Sequence, residues 1–119
     1  MRFAILVTEG PHGHQSTDSA LAFARAVLDR GHQLPQVFFY GDGVLNANRL
    51  AAPPEGERHP VRGWSRLAAE QGVELLICAN AALKRGVREA NLAPGFRIVG
   101  LGQLAGMLIA ADRLLTFGA

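Results

Sequence analysis

Five short apolar runs, separated by turn residues and helical patterns, constrain the fold of this 119-residue chain most strongly. The first run, residues 3–7, is apolar at every position, which is typical of a strand buried on both faces of a parallel sheet. The other runs cover residues 34–40, 73–77, 96–99 and 113–117. Alternation of such runs with helical patterns predicts an α/β fold.

The segments between the runs show helical periodicity, with glycines where the helices should end. Ser16 or Thr17 is expected to cap the first helix, and residues 46–50 are expected to form a short helical turn in an exposed excursion. The stripe formed by the last helix is expected to be core. The periodic apolar positions are Leu21, Ala24 and Val27 or Leu28, then Val61, Trp64, Leu67 and Ala68, then Leu101, Leu104, Met107 and Leu108.

These elements predict one domain, residues 1–119, folded as a three-layer α/β/α sandwich with a mainly parallel five-stranded sheet and right-handed crossovers. Functional sites in such sheets lie beyond the carboxyl ends of the strands. Three segments are therefore candidates: residues 9–16, residues 41–49 and the junction at Cys78.

The composition limits the classes of protein to which the chain can belong. Because 49% of the residues are hydrophobic and only 18% charged, we expect a subunit that buries one face against a partner. A net charge of +2, with no basic tract among aromatics, argues against direct nucleic-acid binding. A single cysteine fits a reducing compartment, and the first apolar run is too short for a signal or a membrane span. We expect a cytoplasmic protein that does not bind membranes.

Cys78 follows the third apolar run and precedes helix-forming residues. Unpaired N–H groups at a helix start stabilise a nearby anion such as a thiolate, typically by about 0.3 to 1 kcal/mol. Free cysteine is, however, also among the most buried residue types and often only packs. The position of Cys78 is therefore compatible with both a nucleophile and a packed core residue.

Several polar residues near the predicted edge are secondary candidates. Arg85 shares a helical face with Cys78 but lies about 10 Å further along the axis, so we do not expect it to ionise the thiol. It is either a partner-facing or structural charge, or a solvated residue of the last turn. Tyr40 and Asp42 follow the second run and could line the same edge as Cys78.

His12 and His14 suggest a metal site, but no third ligand clusters near them, so we predict no metal. Their loop leads into a helix start yet lacks the lysine of the phosphate-binding loop, which leaves nucleotide binding as a minor alternative. Asn46 and Asn48 are interpreted as turn formers. Trp64 is interpreted as a core or interface residue. No cofactor is predicted.

Short motifs distributed along nearly the whole chain resemble those of one family. They are RFAI at 2–5, VFFY at 37–40, IC at 77–78, AAL at 81–83, RGV at 85–87, GLG at 100–102 and DR at 112–113. Together they resemble the DsrE/TusD family of sulfur-relay proteins. The resemblance implies that Cys78 is the active-site cysteine, which accepts sulfane sulfur as a persulfide and passes it on.

The resemblance also implies partners. Members of the family form hetero-oligomers with two paralogous subunits, TusB-like and TusC-like, take sulfur from a TusA-like donor and deliver it to a TusE-like acceptor for 2-thiouridine formation in tRNA. Related DsrE-like subunits act in dissimilatory sulfur oxidation instead. We therefore predict a sulfurtransferase that uses Cys78. A small-ligand-binding module and a non-catalytic scaffold subunit remain the alternatives.

Overall fold

A computed structural model describes residues 1–118, so Ala119 of the predicted domain lies outside the described residues. Its five-stranded sheet has the order β4-β3-β2-β1-β5, and each pair of neighbouring strands is parallel. The α/β fold is thus confirmed, and within residues 1–118 the sheet is parallel throughout. The strands are β1 (Phe3–Val7), β2 (Gln36–Phe39), β3 (Glu74–Cys78), β4 (Phe96–Val99) and β5 (Arg113–Phe117).

Helices connect the strands in the predicted order. They are α1 (Ser16–Asp29), α2 (Pro60–Gln71), α3 (Ala79–Lys84) and α4 (Gly102–Ala110). A 3₁₀ segment, Gly41–Ala47, follows β2, and a 3₁₀ turn, Glu89–Asn91, follows α3. The turn expected at residues 46–50 therefore begins five residues earlier. No helix of residues 1–118 is long and apolar enough to cross a membrane.

The start of α1 differs from the prediction. Its N-cap residue is Gln15, and no side chain of residues 1–118 makes a capping hydrogen bond to the helix. The hydroxyl of Ser16 donates to the Glu9 carboxylate at 3.1 Å, and the hydroxyl of Thr17 donates to the Glu9 and Gly10 carbonyl oxygens. Because both hydroxyls bind the preceding loop, neither is available to the helix N-terminus.

One face of the sheet packs against α1 and α2 through aromatic side chains. Phe3 contacts Phe23 of α1 with ring centroids 5.9 Å apart, and Phe39 contacts Trp64 of α2 at 5.1 Å, both edge to face. Trp64 is fully buried, so its interpretation as a core residue is confirmed. Such pairs add about 0.5 to 1.5 kcal/mol beyond the burial of apolar area.

The opposite face is covered much less. Met107 is the buried residue of α4, whereas Leu101 and Leu108 are exposed and Ile109 is 86% exposed. The expectation that the 101–108 stripe is core is therefore wrong for Leu101 and Leu108, whereas Met107 is buried and Leu104 packs against the core. This helix belongs to the connection between the two edge strands β4 and β5.

The carboxyl ends of the central strands lie together at one edge of the sheet. Val7 is in register with Phe39, Phe39 with Ile77, and Cys78 with Val99. As a result, the loop after β1, the 3₁₀ segment and the β3–α3 junction are neighbours. The three segments singled out from the sequence are thus brought to one edge.

Candidate active site

Cys78 lies at the boundary between β3 and α3. It is the last residue of the strand and also the N-cap of the helix, with extended φ and ψ angles of −68° and 125°. Its exposed fraction is 3%, whereas the next two residues, Ala79 and Asn80, are exposed. The sulfur therefore lies just beneath the surface of the carboxyl edge.

The thiol of Cys78 has no bonding partner in the described part of the chain. It is a free cysteine, makes no capping hydrogen bond to α3 and has no other hydrogen-bond partner within residues 1–118. The only chemistry that the junction itself offers is that of a single thiol beside the first N–H groups of a short helix.

The neighbouring 3₁₀ segment is held by a buried asparagine. The Asn46 side chain is fully buried, and its Nδ2 donates to the carbonyl oxygens of Gly43 at 2.9 Å and Glu9 at 3.2 Å and to Thr17 Oγ1 at 3.3 Å. Its Oδ1 is buried without a partner among the described residues. Asn46 therefore joins the 3₁₀ segment to the loop after β1, a role that its interpretation as a turn former missed.

Gly43 allows the same segment to lie directly against the end of β1. A Cβ atom at this position would overlap the carbonyl oxygen of Val7 and lie 3.3 Å from the Cα of Thr8. Only glycine permits this approach without a backbone shift. The segment is thus fixed both by close packing and by the Asn46 hydrogen bonds.

Arg85 joins the 3₁₀ segment to α3. Its Nε donates to Asp42 Oδ1 at 2.8 Å, and its Nη1 donates to the Ala81 carbonyl oxygen at 3.0 Å. The Arg85 side chain is 28% exposed and that of Asp42 68%. Arg85 is therefore a structural charge and not a freely solvated residue, and Asp42 lies at the predicted edge.

The remaining edge residues have varied surroundings. Tyr40 is 43% exposed beside the 3₁₀ segment, and its backbone N–H donates to the Val7 carbonyl oxygen at 2.9 Å. Asn48 Oδ1 accepts hydrogen bonds from the Leu50 N–H and from Asn91 Nδ2, each at 3.0 Å. The interpretation of Asn48 as a turn residue is confirmed, and the turn also binds the segment after α3.

His12 and His14 do not form a recognisable ligand set. Both are exposed, and His14 Nδ1 lies 3.2 Å from a carboxylate oxygen of Glu9. Within residues 1–118, no group of three or more His, Cys, Asp or Glu side chains is arranged to hold a metal ion. The two histidines line a cleft of about 530 Å³ that also contains the ion pair between Arg58 and Asp18.

Sequence comparison identifies relatives that match along the whole chain. The pattern of the DsrE/DsrF-like family matches residues 1–117. Sulfurtransferase TusD of Klebsiella pneumoniae is 51% identical, with 98% of this chain and 100% of that protein aligned. DsrE of Allochromatium vinosum is 44% identical, with 99% of each protein aligned.

Comparison with solved structures gives the same result as the sequence comparison. The crystal structure of the ychN protein from E. coli superposes with a TM-score of 0.85 at 28% sequence identity. The superposition covers 98% of this chain and 100% of that protein. The shared fold and the end-to-end similarity lead to one conclusion: the chain belongs to the DsrE/DsrF-like family.

Proposed function

We propose that this protein is a sulfurtransferase subunit that accepts sulfane sulfur as a persulfide on Cys78 and passes it to a partner protein. The observation that carries the proposal is the position of the chain's only cysteine. Cys78 ends a central strand at the carboxyl edge of the sheet, where the sites of open α/β folds lie, and its sulfur has no partner within residues 1–118.

The proposed chemistry consists of two displacements at sulfur. The Cys78 thiolate attacks the outer sulfur of a donor persulfide; a new S–S bond forms, the donor's S–S bond breaks, and the donor leaves as a thiolate. An acceptor thiolate then attacks the outer sulfur on Cys78, which leaves as a thiolate in turn. Neither step changes the total oxidation level, so no external oxidant, reductant or second cysteine is required.

Burial of Cys78 suits a carrier of a reactive group. Thiol exchange depends on access to the sulfur that is attacked. With an exposed fraction of only 3%, a persulfide on Cys78 is shielded from random thiols in solution. The exposed residues Ala79 and Asn80 mark the side from which a partner can approach.

Intact mass spectrometry after exposure to a small persulfide donor tests the proposal. We expect the wild type to gain the mass of one sulfur atom and Cys78→Ser to gain none, because the chain has no other cysteine. If the folded wild type is not modified by donors that load other carrier proteins, and its thiol also resists alkylation, Cys78 is a packed residue and the proposal is wrong.

The finer assignment is a place in the relay for 2-thiouridine formation at the tRNA wobble position. In this role the protein is cytoplasmic, forms a hetero-oligomer with TusB-like and TusC-like subunits, takes sulfur from a TusA-like donor and delivers it to a TusE-like acceptor. The similarity to TusD and the exposed apolar residues Leu108 and Ile109 of α4 support this assignment. Co-expression with the two paralogues, followed by light scattering, tests whether the hetero-oligomer forms.

A second candidate is a DsrE-like subunit of a dissimilatory sulfur-oxidation complex. It is favoured by the 44% identity to DsrE over 99% of both proteins. Both candidates use Cys78 in the same way and differ in the fate of the sulfur. Quantification of 2-thiouridine in tRNA from a deletion strain separates them, since loss of the modified base supports the tRNA relay and its persistence supports sulfur oxidation.

A further inference from the structure

A groove of about 780 Å³ lies between the first half of α2 and the segment that follows the 3₁₀ segment. Arg49, Arg62 and Arg66 line it, and we call it the arginine groove. Val61 and Ala93 are buried in its wall, and Leu50, with an exposed fraction of 63%, lies at its rim. The groove thus combines apolar walls with concentrated positive charge.

The charge of the arginine groove is largely unneutralised. The side chains of Arg62 and Arg66 make no hydrogen bond or ion pair within residues 1–118, and Arg49 donates to the carbonyl oxygen of Ala90 at 2.9 Å. Glu55 is the only acidic residue that lines the groove in this part of the chain. A ligand that complements the groove must therefore bring negative charge.

Three of the eleven arginines form ion pairs within residues 1–118, so the arginine groove is distinguished by bringing three guanidinium groups together beside an apolar wall and not by the lack of ion pairs alone. Arg58, Arg85 and Arg97 each bind a carboxylate of this chain at 2.8 to 3.0 Å. Arginine is also the charged residue most enriched at protein interfaces, where it contributes disproportionately to affinity. An exposed leucine beside unpaired arginines is the composition expected of a contact surface.

Hydrogen bonds connect the arginine groove to the edge that carries Cys78. The backbone N–H of Arg49 donates to the Asn91 carbonyl oxygen at 2.8 Å, and Asn91 Nδ2 donates to the Gly86 carbonyl oxygen at 3.1 Å. Gly86 directly follows Arg85, the residue that binds Asp42 of the 3₁₀ segment. The groove and the site therefore belong to one connected set of loops.

We propose that the arginine groove binds an acidic segment of the sulfur acceptor, anchored by an aliphatic or aromatic side chain that contacts Leu50. The inference rests on the proposed function, because the acceptor is the protein that removes sulfur from Cys78. Docking matters most in this step, since any thiol that reaches the persulfide can discharge it. A bound acceptor places its own thiol at a high effective concentration and so outcompetes free thiols.

A protein segment fits the groove better than RNA does. Among the described residues, no phenylalanine, tyrosine or tryptophan lines the groove to stack on bases, and the net charge of its lining is small for a nucleic-acid site. Its apolar wall instead matches a side chain flanked by carboxylates.

The test compares R62E/R66E with the matched control R30E/R113E in the full-length protein. The control changes the charge equally at two exposed residues near the amino ends of the strands, at the opposite edge of the sheet. Binding to a purified TusE-like protein from the same organism is measured by calorimetry at two salt concentrations. Delivery from Cys78, loaded beforehand with a small persulfide, is measured by mass spectrometry.

We expect R62E/R66E to weaken binding by about ten- to a hundredfold, because like charges then face each other. Delivery slows in parallel, R62K/R66K retains most of the affinity, and R30E/R113E changes it less than about threefold. Loading by the small persulfide should be the same in all variants; failure to load even the wild type refutes the proposed function instead.

Three outcomes overturn the groove assignment. One is equal affinity of R62E/R66E and R30E/R113E for the acceptor. Another is slower loading from the TusA-like donor with unchanged delivery, which assigns the groove to the donor. The third is binding of total tRNA by the wild type that R62E/R66E abolishes, which makes the groove an RNA site.

Discussion

Two junctions at the carboxyl edge follow neighbouring strands and are built in opposite ways. After β2, the chain enters the 3₁₀ segment, in which Asn46 is fully buried and donates three hydrogen bonds. After β3, it enters α3 through Cys78, whose side chain has no partner within residues 1–118. The next residues of the second junction, Ala79 and Asn80, are exposed.

Under the proposed function, the junction after β2 has a structural role and the junction after β3 carries the reactive thiol. Each hydrogen bond of Asn46 contributes about 1 kcal/mol net, and an unmade partner in the interior costs more. The first junction is therefore held by hydrogen bonds, and the second leaves the Cys78 sulfur without a partner within residues 1–118, as the proposed sulfur transfer requires. Arg85 couples them, because it extends from the end of α3 to Asp42.

Asn46→Ala should give the largest loss of stability. The substitution removes three hydrogen bonds, each worth about 1 kcal/mol, and leaves the buried carbonyl oxygen of Gly43 without its side-chain donor, so we expect about 3 kcal/mol of destabilisation. The matched control is Asn80→Ala at the other junction, where we expect less than about 0.5 kcal/mol because the side chain is exposed. Urea unfolding at one protein concentration measures both, and equal midpoints would show that the two junctions do not differ.

Gly43→Ala should give the second-largest loss of stability, about 2 kcal/mol, because the new Cβ forces the 3₁₀ segment away from Val7. Gly106→Ala in α4 is the control, since, apart from its chain neighbours and its own helix backbone, no atom of residues 1–118 lies within 4 Å of the added Cβ. There we expect a gain of about 0.5 to 1 kcal/mol from higher helix propensity. Thermal unfolding compares the two, and a tolerated alanine at 43 would contradict the close packing.

Cys78→Ala should cost only about 1 kcal/mol of stability, because a small side chain is removed from a site without hydrogen bonds. Its effect on sulfur loading should nevertheless be complete. For Asn46→Ala we expect the opposite combination, a large loss of stability with sulfur loading retained. This loading should be measurable at low temperature, where the variant remains folded. A destabilisation by Cys78→Ala as large as that by Asn46→Ala would assign Cys78 to the structural core.

The Arg85–Asp42 ion pair should have the smallest effect on stability. Because Asp42 is 68% exposed, a double-mutant cycle of Arg85→Ala and Asp42→Ala should give a coupling of about 0.5 kcal/mol. The pair Arg97–Glu74, with both side chains more than half exposed, serves as the control and should couple less. Zero coupling between Arg85 and Asp42 would show that the junctions are mechanically independent.

Local patterns made much of the site predictable. The apolar run before Cys78 and the helix formers after it are enough to place the thiol at a strand end, and parallel strands bring such ends to one edge. The helix ends at Gly31 and Gly72 were also predictable, because glycine commonly ends helices in the left-handed conformation. Both glycines have the positive φ angles that this requires, 83° and 70°.

Contacts distant in sequence were not predictable in the same way. Arg85 and Asp42 are 43 residues apart, so their pairing depends on the order of the strands. The burial of Asn46 could have been suspected from its apolar neighbours Val44 and Ala47, which are themselves fully buried in the structure. The α4 stripe misled for a different reason: periodicity shows that a helix has an apolar face but not whether this chain covers it.

The most direct test of the central claim is a single-turnover transfer with isotope-labelled sulfane sulfur. Wild-type protein is loaded, freed of excess donor and mixed with a purified TusE-like acceptor, and peptides of both proteins are analysed at successive times. We predict that the label leaves the peptide containing Cys78 at the rate at which it appears on an acceptor cysteine. Label that remains on Cys78, or that reaches the acceptor equally fast from a Cys78→Ser sample treated in the same way, would contradict the claim.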